Sequence, residues 1–217
     1  MTMLWYRLLV RMFYCSRQRL CRVANLAMRQ MGGGNWCGVE ITQGRLEIEE
    51  CDITSQSLAC VAIHDGADPR LRRNRIYDSK GESGVYVYEN GQGVLEDNEI
   101  FGNIVGVIIT TGGNPTLRRN RIYDSKGESG VYVYENGQGV LEDNEIFGNA
   151  YAGVEISDGG NPILRRNRIN ENSHYAVLVY DRGGGTIEDN DLRGNASGAW
   201  SVSADSEPNL IRARNKE

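Results

Sequence analysis

Two short apolar alternations recur along the chain. One is Val-x-Ile or Val-x-Val: Val39/Ile41, Val61/Ile63, Val85/Val87, Val107/Ile109, Val131/Val133, Val154/Ile156 and Val177/Val179, continued by Trp200/Val202. The other reads Leu-x-x-Asn-x-Ile, from Leu71 to Ile76, Leu95 to Ile100, Leu117 to Ile122, Leu141 to Ile146 and Leu164 to Ile169, with Ile187 to Leu192 as a variant. Period-two alternation marks strands with one buried face. Gly38, Gly84, Gly106, Gly130 and Gly153 stand just before the first alternation, where a tight corner needs them.

The alternations belong to a repeat. Residues 71–103, LRRNRIYDSKGESGVYVYENGQGVLEDNEIFGN, recur letter for letter at 117–149, a shift of 46. Within each block the unit is halved. Asn74, Asn98, Asn120, Asn144, Asn167 and Asn190 are spaced by 24, 22, 24, 23 and 23 residues, with Cys51 taking the slot before them and Ala213 the slot after. A 23-residue unit with two short strands is too small for a propeller blade, which takes about 40–50 residues. It predicts an all-β fold: a single-stranded right-handed parallel β-helix of about eight coils, spanning residues 35–217. Equivalent residues then stack about 4.8 Å apart, and the Asn column forms an inward amide ladder.

Residues 1–34 are expected to be a basic N-terminal cap. Over residues 3–31, at about 100° per residue, Arg7, Arg11, Gln18, Arg22 and Arg29 share one face, opposite Leu9, Phe13, Leu20, Ala24, Ala27 and Met31. This predicts an amphipathic helix that covers the open end of the solenoid and is also suited to a membrane surface. Arginines interrupt every apolar run, which excludes a membrane span.

The residues flanking the Asn column alternate in sign from coil to coil. Glu49, Glu50 and Asp52 precede Arg72, Arg73 and Arg75. Glu96, Asp97 and Glu99 precede Arg118, Arg119 and Arg121. Glu142, Asp143 and Glu145 precede Arg165, Arg166 and Arg168, and Glu188, Asp189 and Asp191 precede Arg212 and Arg214. Stacked in register, acids sit on arginines, and a slip by one coil opposes like charges. This accounts for a duplicated block two coils long.

Composition narrows the function. The net charge is −5, and the first 39 residues hold six arginines and no acid, so removing those six charges leaves −11 for the rest. An acidic body argues against a nucleic-acid partner. The five cysteines, Cys15, Cys21, Cys37, Cys51 and Cys60, show no CxxC spacing and all lie in the first 60 residues, leaving the repeats after Cys60 free of thiols. They suggest neither a disulfide scaffold nor a metal site, and they favour a reducing, intracellular compartment. No cofactor is expected.

The candidate site is the outer side of the Val-x-Ile strands. One outward column runs Glu40, Ala62, Tyr86, Ile108, Tyr132, Glu155 and Leu178. The next runs Thr42, His64, Tyr88, Thr110, Tyr134, Ser157 and Tyr180, beside Gln43, Asp65, Glu89, Thr111, Glu135, Asp158 and Asp181. Tyr86, Tyr88, Glu89, Tyr132, Tyr134, Glu135, Asp158, Tyr180 and Asp181 form a strip able to bind a protein or a sugar, because tyrosine offers an apolar ring and a hydroxyl together. No Arg or Lys stands in the two outward columns, and the two histidines, His64 and His174, fall in different slots. The residues favour binding over catalysis, and no catalytic residue is assigned.

The motifs NPTLRRNRIYDS and GVYVYENGQGVLEDNEIFGN resemble the β-helix repeats of F-box-only protein eleven and the wider group of carbohydrate-binding and sugar-hydrolase β-helices, over residues 36–213. The resemblance implies a non-catalytic scaffold that binds a protein partner along its outer strand face, as in substrate recognition for a ubiquitin ligase. The alternative it implies is a polysaccharide-binding or polysaccharide-cleaving protein. The Asp-Pro-His run of alginate epimerases is missing, since Asp68-Pro69 is followed by Arg70.

The charge alternation makes a direct prediction. Arg119→Glu should lower the melting temperature clearly more than Arg119→Gln, read by circular dichroism; equal shifts would contradict the ladder.

Overall fold

The computed structural model describes residues 21–217. They wind into a parallel β-helix of about eight turns, and each turn contributes to three sheets. The first sheet has nine strands, from Cys21–Ala24 to Leu210–Ala213. The second has seven, from Ala27–Gln30 to Arg168–Asn170, and the third has eight, from Val39–Ile41 to Gly198–Val202. Pairing is parallel throughout. Val94, Leu95 and Glu96 lie beside Arg70, Leu71 and Arg72 on one side and Thr116, Leu117 and Arg118 on the other.

Both predicted alternations face the bore. Leu71, Leu95, Leu117, Leu141 and Leu164 form one fully buried column, Ile76, Ile100, Ile122, Ile146 and Ile169 a second, and the Val-x-Val pairs two more. Each such side chain contributes about 1.5–3 kcal/mol on burial. The strand Val105–Ile109 of the third sheet admits no side chain at Gly106: a Cβ there would stand 2.3 Å from the Gly130 carbonyl oxygen and 2.6 Å from Ile122.

The Asn column lies between the first two sheets and is buried. Arg73, Asp97, Arg119, Asp143 and Arg166, each just before an Asn, take left-handed φ values of 53–55°, which turn the chain so that the amide points inward. Asn120 Oδ1 accepts from Asn98 N at 3.0 Å and Asn98 Nδ2 at 2.9 Å. Its own Nδ2 donates to the Leu95 carbonyl at 2.8 Å and to Asn144 Oδ1 at 3.0 Å. A second ladder, not foreseen from the sequence, runs between the second and third sheets, where Asn149 Nδ2 donates to Asn172 Oδ1 and Asn172 Nδ2 to Asn195 Oδ1, both at 2.8 Å. Ser79 and Ser125 share this line, their backbone N–H groups donating to Asn103 and Asn149. On the outside of the second sheet Tyr77, Phe101, Tyr123 and Phe147 stack with centroids 5.0–5.1 Å apart.

The charge ladder forms as the alternation predicts. Arg119 Nε meets Asp97 at 2.8 Å, and its guanidinium also pairs with Glu96. Glu96 is held by Arg70 as well, at 2.8 Å, and by Arg118, at 2.9 Å. These guanidinium groups, Arg70 first, pull the Glu96 carboxyl down to about 2.

Three expectations need correction. The helix expected over residues 3–31 is absent from its described part: Cys21–Ala24 and Ala27–Gln30 are strands, and no α-helix occurs among the described residues. The rest of that segment lies outside the described residues. The reason is the neighbouring coil. Val23 pairs with Ile48 and Met28 with Ile53, and Arg22 ion-pairs with Glu49, so this stretch extends the sheets and the charge alternation by one coil. The final ladder slot belongs to Asn215, not Ala213: Asn215 Oδ1 accepts from Asn190 N and Nδ2 at 3.0 Å, after a wider interval of 25 residues. For the same reason Arg212 leaves the ladder and pairs with Glu207, while Arg214 meets Glu188 and Asp189.

Truncating one ladder rung orphans several buried groups at once, each worth about 1–3 kcal/mol. Asn120→Ala should therefore cost about 3 kcal/mol or more in urea denaturation; a loss below about 1 kcal/mol would show that the amides are not structural.

Candidate functional site

The outer face of the third sheet carries aromatic and hydroxyl side chains away from the charge ladder. Its strands place Ala62, Tyr86, Ile108, Tyr132, Glu155 and Leu178 in one register column. The next column is fixed by the backbone: the N–H groups of Tyr88, Thr110, Tyr134, Ser157 and Tyr180 donate to Ile63, Val87, Ile109, Val133 and Ile156 of the coil before. Each strand then ends in a two-residue left-handed turn. Glu89-Asn90, Glu135-Asn136 and Asp181-Arg182 have φ between 45° and 60°, and Asp65 and Asp158 are followed by glycine at 72°. These turns project Glu89, Glu135, Asp158 and Asp181 to solvent along one rim.

The tyrosines lie against the sheet, half-buried, and lean on one another. Tyr86 and Tyr88 have centroids 4.7 Å apart, and Tyr132 and Tyr134 have centroids 4.5 Å apart. His64 stacks on Tyr88 at 4.6 Å. From His64 to Tyr180 the strip crosses five coil steps, about 24 Å.

At one end the hydroxyls are wired to a buried carboxylate. Glu155, on an outward position, is only 7% exposed. Its Oε1 accepts from Tyr180 Oη at 2.8 Å and its Oε2 from Ser129 Oγ at 2.7 Å. Tyr132 Oη lies 3.1 Å from Tyr180 Oη and 3.0 Å from Ser157 Oγ. Because Tyr180 spends its proton on Glu155, Tyr132 donates to Tyr180 and Ser157 donates to Tyr132. Beside this network is a shallow cleft of ≈ 360 Å³ lined by Tyr151, Glu155, Leu178, Tyr180, Ser201 and Ser203.

Burial raises the phenols of Tyr86, Tyr134 and Tyr180 above the ordinary value, and for Tyr180 the hydrogen bonds to Tyr132 and Glu155 add to it. Tyr88 is pushed up to about 12 by burial and the Glu40 charge.

Of the residues singled out from sequence, the structure joins Tyr132 with Tyr180, and Tyr86 and Tyr134 with their strand neighbours. Glu135 is held by Thr110 Oγ1 at 3.0 Å. Glu89, Asp158 and Asp181 stay on the exposed rim. Glu155, Ser129, Ser157 and His64 were not singled out. Ser129 and Glu155 are 26 residues apart in the chain, and only the coil-to-coil register brings them together. Asp68, of the Asp-Pro pair, is engaged by Arg45 at 3.0 Å.

These features define a parallel β-solenoid with an aromatic, acid-rimmed outer face. The chain matches the family of right-handed β-helix regions over residues 12–129 and 83–214, and it belongs to that family. Solved structures of similar fold include the periplasmic alginate epimerase AlgG, with a TM-score of 0.76 at 14% identity over 89% of this chain and 50% of that one. A mutant of the same epimerase gives a TM-score of 0.79 at 14% identity, over 91% and 50%. The chain spans half the length of those structures, and identity this low shows a shared fold alone. No curated protein matches the chain, so nothing beyond the repeat motifs supports a tie to a ubiquitin ligase.

A phenol raised in the folded state stabilises the fold below about pH 10, the ordinary phenol value, and that contribution is lost as pH rises through the folded value. Phenolate absorbance of the native protein should therefore lag that of the urea-unfolded chain, with the melting temperature falling above about pH 10; coincident titrations would contradict the buried tyrosine layer.

Proposed function

We propose that this protein binds a polysaccharide along the outer face of its third sheet. The observation that carries the reading is the tyrosine strip itself, about 24 Å long, with half-buried rings along the outer face and hydroxyls organised around Glu155 at one end. A strip of that length and chemistry suits several consecutive sugar units better than a single small molecule. The polysaccharide-modifying epimerase among the solved structures of similar fold favours a sugar over the protein partner that the repeat motifs suggested.

The charge narrows the class of sugar. Glu89, Glu135, Asp158 and Asp181 line the rim, and no Arg or Lys stands in the two outward columns to neutralise an acidic chain. A polyuronate such as alginate would meet like charge, whereas a neutral or amino-sugar polymer would not. Binding is proposed in preference to epimerisation, because the Asp-Pro-His run is replaced at Arg70 and Asp68 is tied to Arg45.

Affinity electrophoresis against neutral glucans and mannans, chitosan oligomers and alginate tests this. Each lost aromatic contact is worth about 1 kcal/mol, so Tyr88→Ala and Tyr134→Ala together should weaken the bound glycan by about 25-fold. Retention by alginate alone, or a double variant that binds like the native protein, would overturn the proposal.

A further inference from the structure

His64 opens the tyrosine strip in the second complete coil and is an anomaly on an outward position. It is 8% exposed, while the carboxylates around it are open to solvent. Three acidic side chains, from three elements, converge on its two ring nitrogens. Nε2 faces Glu40 Oε1, on the strand of the preceding coil, at 3.2 Å. Nδ1 faces Asp65 Oδ2, in its own turn, at 3.0 Å, and Glu89 Oε2, in the turn of the next coil, at 3.9 Å. Tyr88 fixes the ring plane by stacking, with 17° between the planes.

A neutral imidazole has one N–H. With that hydrogen donated to Glu40, the Nδ1 lone pair points at two carboxylate oxygens and has no donor between them. A proton on Nδ1 would reach Asp65 alone, since Glu89 stands at 3.9 Å, beyond hydrogen-bond distance. A cation between the three atoms serves all of them. The Glu40 contact then takes the part that a carboxylate commonly plays behind a metal-bound histidine, fixing the tautomer and raising the basicity of the ligating nitrogen.

We propose that His64 Nδ1, Asp65 and Glu89 form a divalent-cation site, with Glu40 as the positioning residue behind the ring. The ligand atoms lie within 4.8 Å of one another. Two ligands of a tetrahedral ion at bond lengths near 2.1 Å stand about 3.4 Å apart, so the exposed Asp65 and Glu89 side chains close the site by small rotations. One imidazole with two carboxylates suits Zn²⁺ or Mn²⁺ better than the thiol-seeking ions. The site is independent of the glycan reading. It links two successive coils and stands at the end of the strip opposite Glu155.

The test uses the whole protein and Mn²⁺ alone, an ion that leaves the chain's thiols aside. Electron paramagnetic resonance should count one tightly bound Mn²⁺, and NMR should show the His64 ring signals broadened while those of exposed His174 persist. Zn²⁺ should compete for the same site. Asp65→Asn and Glu89→Gln, which keep the turn conformation, should each weaken Mn²⁺ binding at least tenfold with an unchanged circular dichroism spectrum. No bound Mn²⁺ at millimolar concentration, equal broadening of both histidines, or binding unaffected by either substitution would overturn the proposal.

Discussion

Parallel coils about 4.8 Å apart make every position in this chain a neighbour of its own copies. That constraint selects residue types slot by slot. Leu71, Leu95 and Leu117 pack on one another without penalty inside the bore. Asparagine can follow itself because one amide both donates and accepts, as Asn98, Asn120 and Asn144 do. Flat rings such as Tyr77, Phe101 and Tyr123 stack face to face. Beside the Asn column, charges alternate in sign from coil to coil, so that acids pair with arginines, and the smallest unit that can be copied intact there is two coils.

The third sheet's outer face is where that logic relaxes. Its columns are mixed, running Tyr86, Ile108, Tyr132, Glu155 and Leu178 in succession. Mixed columns allow diagonal contacts: Tyr180 reaches Glu155 one coil away and Tyr132 two coils away. His64 likewise gathers acids from the coils on either side of it. The stacked core supplies rigidity, and this face spends that rigidity on holding hydroxyls and carboxylates in fixed relation. The cost is visible at Thr111, a β-branched residue held at a φ of 43° in the rim turn, a conformation such residues disfavour.

Much of this is legible in the sequence. The period, the inward Val and Leu columns and the sign alternation follow from identity at fixed spacing, and Asn120 at its slot already implied a ladder. What failed had local causes. Residues 21–30 read as a continuation of a helical stripe because their alternation is short, and the clue that Arg22 continued the charge pattern needed the register of Glu49 to be seen. Asn215 was displaced from its expected slot by the two extra residues of the last coil. The second ladder was masked because serine replaces asparagine at Ser79 and Ser125. The site was legible as a tyrosine strip, but its organising groups, Glu155 and His64, draw their meaning from contacts between coils that spacing alone does not rank.

Register is best tested by distance. Spin labels on non-natural residues at Arg70 and, in turn, Ile163, Thr186 and Ile211 sample one column of the first sheet at increasing coil separation. Double electron–electron resonance should return distances that grow linearly by about 4.8 Å per coil. Distances that fail to grow with coil number, or that step by a different rise, would contradict the stacked solenoid on which the proposed sites depend.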